Sequence, residues 1–195
     1  MPTLDDRLLP VFARQHWLVS MADIEAADGT AAQAARRVQA GRWGLADVNV
    51  YRLLGVPSSW HSRQLAPILS IPGGVASHFA AGALHGIDGI GRGTPELSIP
   101  RGQEHRRRGM RLHTSTDLDR CRVLVVEGIP TTDIDRTLLD LGRRLGDLRL
   151  LRAIEWARRE DRTDWSSLIR TLAAHARRGR PGIRRLRRII LANAE

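Results

Sequence analysis

The sequence contains no lysine: all 31 of its basic residues are arginine. It holds one cysteine, Cys121, and only 4% of its residues are Phe, Trp or Tyr. Each shortage removes an option. A metal-dependent nuclease of the usual kind sets clustered acids beside a lysine that stabilises charge at the scissile phosphate, and no lysine is available here. One thiol cannot pair within the chain and makes neither a zinc knuckle nor a redox couple, so a reducing cytoplasm suits it. No run approaches the roughly 18 apolar residues that a membrane span requires. Asp5 and Asp6 interrupt the first apolar residues, which argues against a signal peptide. The expectation is a soluble cytoplasmic protein with no membrane partner. Its 195 residues, 42% apolar and 27% charged, suffice for one good-sized or two small domains with a buried core.

What the chain does have is positive charge, unevenly placed. Residues 1–100 carry 8 Arg against 8 acids, and residues 101–195 carry 23 Arg against 13, so the whole net charge of +10 lies in the second half. Arginine codons are favoured in GC-rich genomes, so the distribution says more than the total. It points to a polyanionic partner for the second half, with nucleic acid the first candidate. The turn-rich stretch Leu54-Gly55-Val56-Pro57-Ser58-Ser59 places a domain boundary near residue 56, giving domains 1–55 and 56–195, and Pro72-Gly73-Gly74 punctuates the chain again.

The first 55 residues read as three helices and a hairpin. Leu4, Leu8, Val11 and Phe12 recur at helical spacing. Ser20 with Asp23, and Thr30 with Gln33, form capping boxes that open a second and a third helix, separated by a tight turn at Asp28-Gly29. On the third helix, taken over 30–40, periodicity places Ala31, Ala35 and Val38 on an inward face and Thr30, Gln33, Arg36 and Arg37 on an outward one. Gly41 to Leu45 and Asn49 to Leu53 follow as strand-like segments about a turn at Asp47 to Asn49, where Asn tolerates positive φ; Trp43 and Tyr51 are assigned to the hairpin core. This order is that of a winged helix-turn-helix. In such a unit the third helix enters the major groove, so Gln33, Arg36 and Arg37 are the candidates for reading bases, with Thr30, Arg42 and Arg52 for the backbone. The competing reading is a protein-interaction module in which Arg36 and Arg37 are merely solvated.

These segments resemble a known family. His16-Trp17-Leu18-Val19, then Arg36 through Trp43, then Val50-Tyr51-Arg52-Leu53, are similar to the N-terminal winged helix of the AbiEi-like antitoxins of type IV toxin-antitoxin, or abortive-infection, systems. The resemblance continues through Val75-Ala76-Ser77-His78, Ala81 to Ile87, Leu97 to Gly102, Gly128-Ile129-Pro130-Thr131-Thr132 and Arg136 to Leu141. It implies a DNA-binding antitoxin that represses its own operon and counters a nucleotidyltransferase-like toxin. Two positions depart from the family pattern: Val48-Asn49 stands where a Pro-Gly wing turn is common, and Gly44-Leu45 where further basic residues are. The restriction-endonuclease-like extension of many relatives is not expected in this chain.

Read on its own, the second half is a mixed domain. Glu96 to Ile99, Met110 to His113 and Val123 to Val126 are β-prone runs, and from Asp133 the pattern turns helical, ending in an arginine-faced helix with Ile183, Leu186 and Ile190 on its apolar side. Thr132 with Asp135 is a further candidate capping box. The glycines from Gly86 to Gly93 lack the order of a phosphate or dinucleotide loop and read as a plain loop. Arg106, Arg107 and Arg108, with Arg177, Arg178, Arg184, Arg185 and Arg188, form a candidate polyanion-binding surface, weighed against a solvated basic face in an arginine-biased proteome. His78 and His85 lie seven apart, with no carboxylate or cysteine nearby in sequence to complete a site, so no metal, cofactor or catalytic residue is assigned. The expectation is therefore an α+β protein, not an enzyme: a winged helix-turn-helix followed by a mixed α/β domain with a small sheet. Its partners are duplex DNA at its own promoter, bound as a homodimer on inverted repeats, and a cognate toxin. A stand-alone winged-helix regulator and a non-DNA-binding interaction module are the alternatives.

Overall fold

A computed structural model describes residues 2–102, 108–176, 180 and 182–193. The architecture is α+β with two small sheets. The chain divides into two compact units, Met1–Gly74 and Val75–Glu195. The division falls after Pro72-Gly73-Gly74 rather than near residue 56. Its cause is a helix over Trp60–Ser70, which packs against every strand of the first sheet and so belongs with them.

The first unit runs α1 (Leu4–Arg14), β1 (Leu18–Ser20), α2 (Met21–Ala26), α3 (Ala31–Gln39), β2 (Trp43–Asp47), β3 (Val50–Leu53) and α4 (Trp60–Ser70). Capping boxes start three of its helices. Thr3 with Asp6, Ser20 with Asp23 and Thr30 with Gln33 each satisfy two backbone amides at a helix N-terminus. The sheet is antiparallel with strand order β1-β3-β2, and Asn49 takes φ 56 in the β2–β3 turn. Leu4, Leu8, Phe12, Val19, Ile24, Ala34 and Trp43 form the core. The α2–α3 turn is close-packed: a Cβ on Gly29 would lie 2.7 Å from Ile24 Cγ2 and 2.9 Å from Leu4 Cδ1, so only glycine fits there undisturbed.

The second unit runs β4 (Val75–Ala76), α5 (His78–His85), β5 (Glu96–Pro100), β6 (Arg111–Ser115), a 3-10 turn (Leu118–Arg120), β7 (Val123–Val126), β8 (Ile129–Thr132), α6 (Ile134–Leu141), α7 (Asp147–Arg159), α8 (Trp165–His175) and α9 (Ile183–Asn193). Its mixed sheet has the order β6-β5-β4-β8-β7. The core joins Leu138, Leu139 and Leu141 of α6 to Leu150 and Ile154 of α7, Leu168 of α8 and Leu186 of α9. Residue for residue α6 is buried, including Asp135, Arg136 and Asp140. Its N-cap is Asp133, whose carboxylate accepts from the Arg136 amide at 2.9 Å, and not the Thr132–Asp135 box expected from sequence.

Candidate functional site

On α3 the inward and outward faces differ from those drawn by hydrophobic periodicity. Ala34 is the fully buried residue, whereas Ala31, Ala35 and Val38, expected inside, are exposed. Arg37, expected to project outward, turns in with 11% of its side chain exposed. Its Nε donates to Asp5 Oδ1 at 2.8 Å, its Nη1 donates to the Gln33 carbonyl at 3.1 Å, and its guanidinium lies 5.2 Å from the centre of the Trp43 ring. Arg37 is thus a strut between α1, α3 and β2. The physical reason is a carboxylate 32 positions away in sequence: Asp5 and the Trp43 indole face offset the hydration that the guanidinium loses on burial.

Arg36 remains exposed, its Nε donating to the Ala32 carbonyl at 3.4 Å, among the short side chains of Ala31, Ala32 and Ala35 and beside Gln39. Thr30 and Gln33 hold each other in the capping box: Thr30 N donates to Gln33 Oε1 at 3.0 Å, and Gln33 N donates to Thr30 Oγ1 at 3.3 Å. Arg42 is 59% exposed, with Nη1 donating to Asp5 Oδ2 at 3.1 Å, and Arg52 on β3 lies half-buried opposite Gly44 of β2. Trp43 packs edge-on to Phe12 at 5.6 Å and beside Tyr51 at 5.9 Å, so the hairpin aromatics are core, as expected. Two apolar side chains toward the end of the β2–β3 hairpin are exposed, Leu45 at 65% and Val48 at 58%.

Of the proposed basic surface in the second unit, Arg106, Arg107, Arg177 and Arg178 lie outside the described residues. Arg108 and Arg184 are exposed. Arg185 and Arg188 both donate to Asp147, at 2.9 and 2.7 Å, so this arginine-rich helix is partly neutralised by an acid from α7.

Sequence reading missed a polar cleft of about 270 Å³ in the second unit. Behind it lies a buried ion network. Arg136 Nε donates to Asp140 Oδ2 at 2.9 Å and Arg180 Nη2 to Asp140 Oδ1 at 3.2 Å, while Arg180, His175 and Ser115 all donate to Asp117. Burial opposes the charge on Asp117, but the Ser115 hydrogen bond, the Arg136 charge and the His175 and Arg180 contacts outweigh it and hold the carboxyl at about 2. The sequence signal was Arg136 and Asp140 at i,i+4 on a helix that also carries Ile134, Leu138, Leu139 and Leu141.

At the cleft wall the sheet brings together three residues far apart in sequence. His113 on β6 lies opposite Ser98 on β5, two residues beyond Glu96, and β4 leads into His78. His113 Nε2 donates to Glu96 Oε1 at 2.8 Å, and the His78 and His113 rings stack at 3.8 Å with 19° between planes. His78 holds φ 53, a left-handed backbone rare for histidine, and burial together with the neighbouring His113 pushes it down to about 3, so it is neutral. The nearest donor atoms of the three lie within 4.8 Å of one another, the grouping of a divalent-metal site. Two imidazoles on one ion, each at a bond of about 2.1 Å, hold their ring centres on the order of 5 Å apart. At 3.8 Å the rings are stacked, with His113 bonded to Glu96 and His78 Nδ1 3.0 Å from Ser77 Oγ, and a metal would have to part them.

No family model and no curated protein matches the chain. Among solved structures it is similar to the crystal structure of the RV2827C protein from Mycobacterium tuberculosis, with a TM-score of 0.58 and 15% identity over 100% of this chain and 78% of that chain. At that identity the likeness is one of fold.

Proposed function

We propose that the first unit is a winged helix-turn-helix that binds duplex DNA through α3, and that the protein is an antitoxin repressing its own operon and countering a nucleotidyltransferase-like toxin. The observation that carries the reading is topological. Helix, strand, helix, helix and two strands, with sheet order β1-β3-β2, leave α3 with an outward face of alanines around Arg36 and Gln39, and no acid on that helix. Short side chains let a helix approach base edges closely, and Arg36 supplies the bidentate donor that reads guanine. Gln33 keeps its amide nitrogen available for a base, Thr30 sits at the helix N-terminus, and Arg42 and Arg52 flank the hairpin for phosphates. Arg37 leaves the reading set. The antitoxin part of the proposal rests on the sequence resemblance.

The test is fluorescence anisotropy with promoter DNA at fixed salt. Arg36→Ala is expected to weaken specific binding by about 1–3 kcal/mol, roughly fivefold or more. A loss within about threefold would reassign the helix. A nucleotidyltransferase gene adjoining this one supports the antitoxin reading; a solitary gene leaves the regulator. The exposed Leu45 and Val48 toward the end of the hairpin favour one alternative, a protein-interaction module, which predicts no binding to duplex DNA even at low salt.

A further inference from the structure

Strand β7 ends the five-stranded sheet, and among the described residues one of its edges faces no other strand. Glu127 and Gly128, at φ 49 and 76, close a two-residue hairpin to β8. Such a turn makes Val126 and Ile129 a hydrogen-bonded pair, and the alternation then makes Leu124 and Thr131 another. Val125 faces Pro130, which has no N–H to offer, and Val123 faces Thr132. The amides and carbonyls of Val123 and Val125 therefore point away from the sheet. The pattern holds one residue further, where Asp133 N donates to the Arg122 carbonyl at 3.0 Å. Proteins commonly guard such edges with charges or proline, yet here the side chains are valines, 45% and 74% exposed.

We propose that this edge pairs antiparallel with β7 of a second copy of the chain, joining two sheets into one of ten strands. Outward-facing residues must meet outward-facing residues. The symmetric register that pairs both sets Val123 opposite Val125 of the second copy, with Leu124 on the twofold axis opposite its own counterpart. Val-Leu-Val reads the same in both directions, so one strand complements itself, and the four valines form a continuous cross-strand row. The ends of the strand also select a second copy. Arg122 at one end and Glu127 at the other are both exposed, and antiparallel pairing brings unlike charges together whereas parallel pairing would set like against like. The inference does not depend on DNA binding.

Sedimentation velocity of the full chain without DNA, from micromolar to hundreds of micromolar, is expected to show a monomer–dimer equilibrium. Val125→Lys puts a charge on the edge and is expected to weaken dimerisation by roughly tenfold or more with an unchanged melting temperature. In a Cys121→Ser background, Leu124→Cys is expected to form an interchain disulfide under mild oxidation, because non-hydrogen-bonded antiparallel partners lie about 4.5 Å apart at Cα. Leu148→Cys, on the exposed side of α7, serves as the control that does not cross-link. The proposal is overturned by a monomer throughout the range, by a dimer that Val125→Lys leaves intact, or by cross-linking at Leu124→Cys no faster than the control. Failure of promoter binding by a protein that passes these tests would count against the regulator alone.

Discussion

Arg36 and Arg37 adjoin in sequence, but the first is exposed and the second is clasped by Asp5, the Gln33 carbonyl and the Trp43 ring. Their replacement should separate the two roles. Arg37→Ala is expected to lower stability by about 1–3 kcal/mol, because it leaves Asp5 without its better-buried partner, and to lower the melting temperature by several degrees in calorimetry. Arg36→Ala should leave that temperature unchanged. Titration offers a second residue-level test. The unfolded chain protonates His78 near 6.5, whereas the folded site resists until about 3, so stability falls as pH drops below about 6.5 and goes on falling to about 3. His85 and His175, also pushed down by burial, act in the same direction. Asp117 adds a stabilising term that is complete above its ordinary 3.8 and lost as pH falls through about 2, while Asp135, raised by burial, opposes these trends. Urea unfolding followed from pH 7 to pH 4 should show the decline, and His78→Gln should flatten it.

Among the elements, those with local signals were readable before any coordinates. Two of the three capping boxes and the Val123–Val126 strand stand where caps and spacing place them. Strands β4 and β8 were not readable: the first has two residues, and the second carries Pro130 in a position that needs no N–H, so its proline reads as punctuation. The faces of α3 were misread because periodicity counts Arg37 as polar and therefore outward, while the ring and carboxylate that receive it come from other elements. The α2–α3 connection carries its own prediction. Gly29→Ala forces a methyl against Ile24 and Leu4 and is expected to destabilise the first unit by about 1–3 kcal/mol, measurable as a lower urea midpoint. An unchanged midpoint would mean that the turn can open to admit it.

Over the whole molecule, the charge imbalance between the halves was visible in composition, but its local fate was not: Asp147 neutralises part of the α9 face. The grouping at the cleft wall was equally hidden, since 18 and 17 positions separate His78, Glu96 and His113 and only sheet pairing unites them. Asp5 controls charge at the first unit in a comparable way. This one carboxylate tethers Arg37 and Arg42 at once, so it acts as a brake on the attraction of that end of the molecule for any polyanion. Asp5→Asn would release it: low-salt affinity for DNA of arbitrary sequence is expected to rise, with a salt slope steeper by up to about 0.9 for each arginine freed to meet a phosphate. For the repressor proposed above, discrimination between promoter and random DNA would then shrink as affinity grows, a trade that a single neutralised side chain brings about.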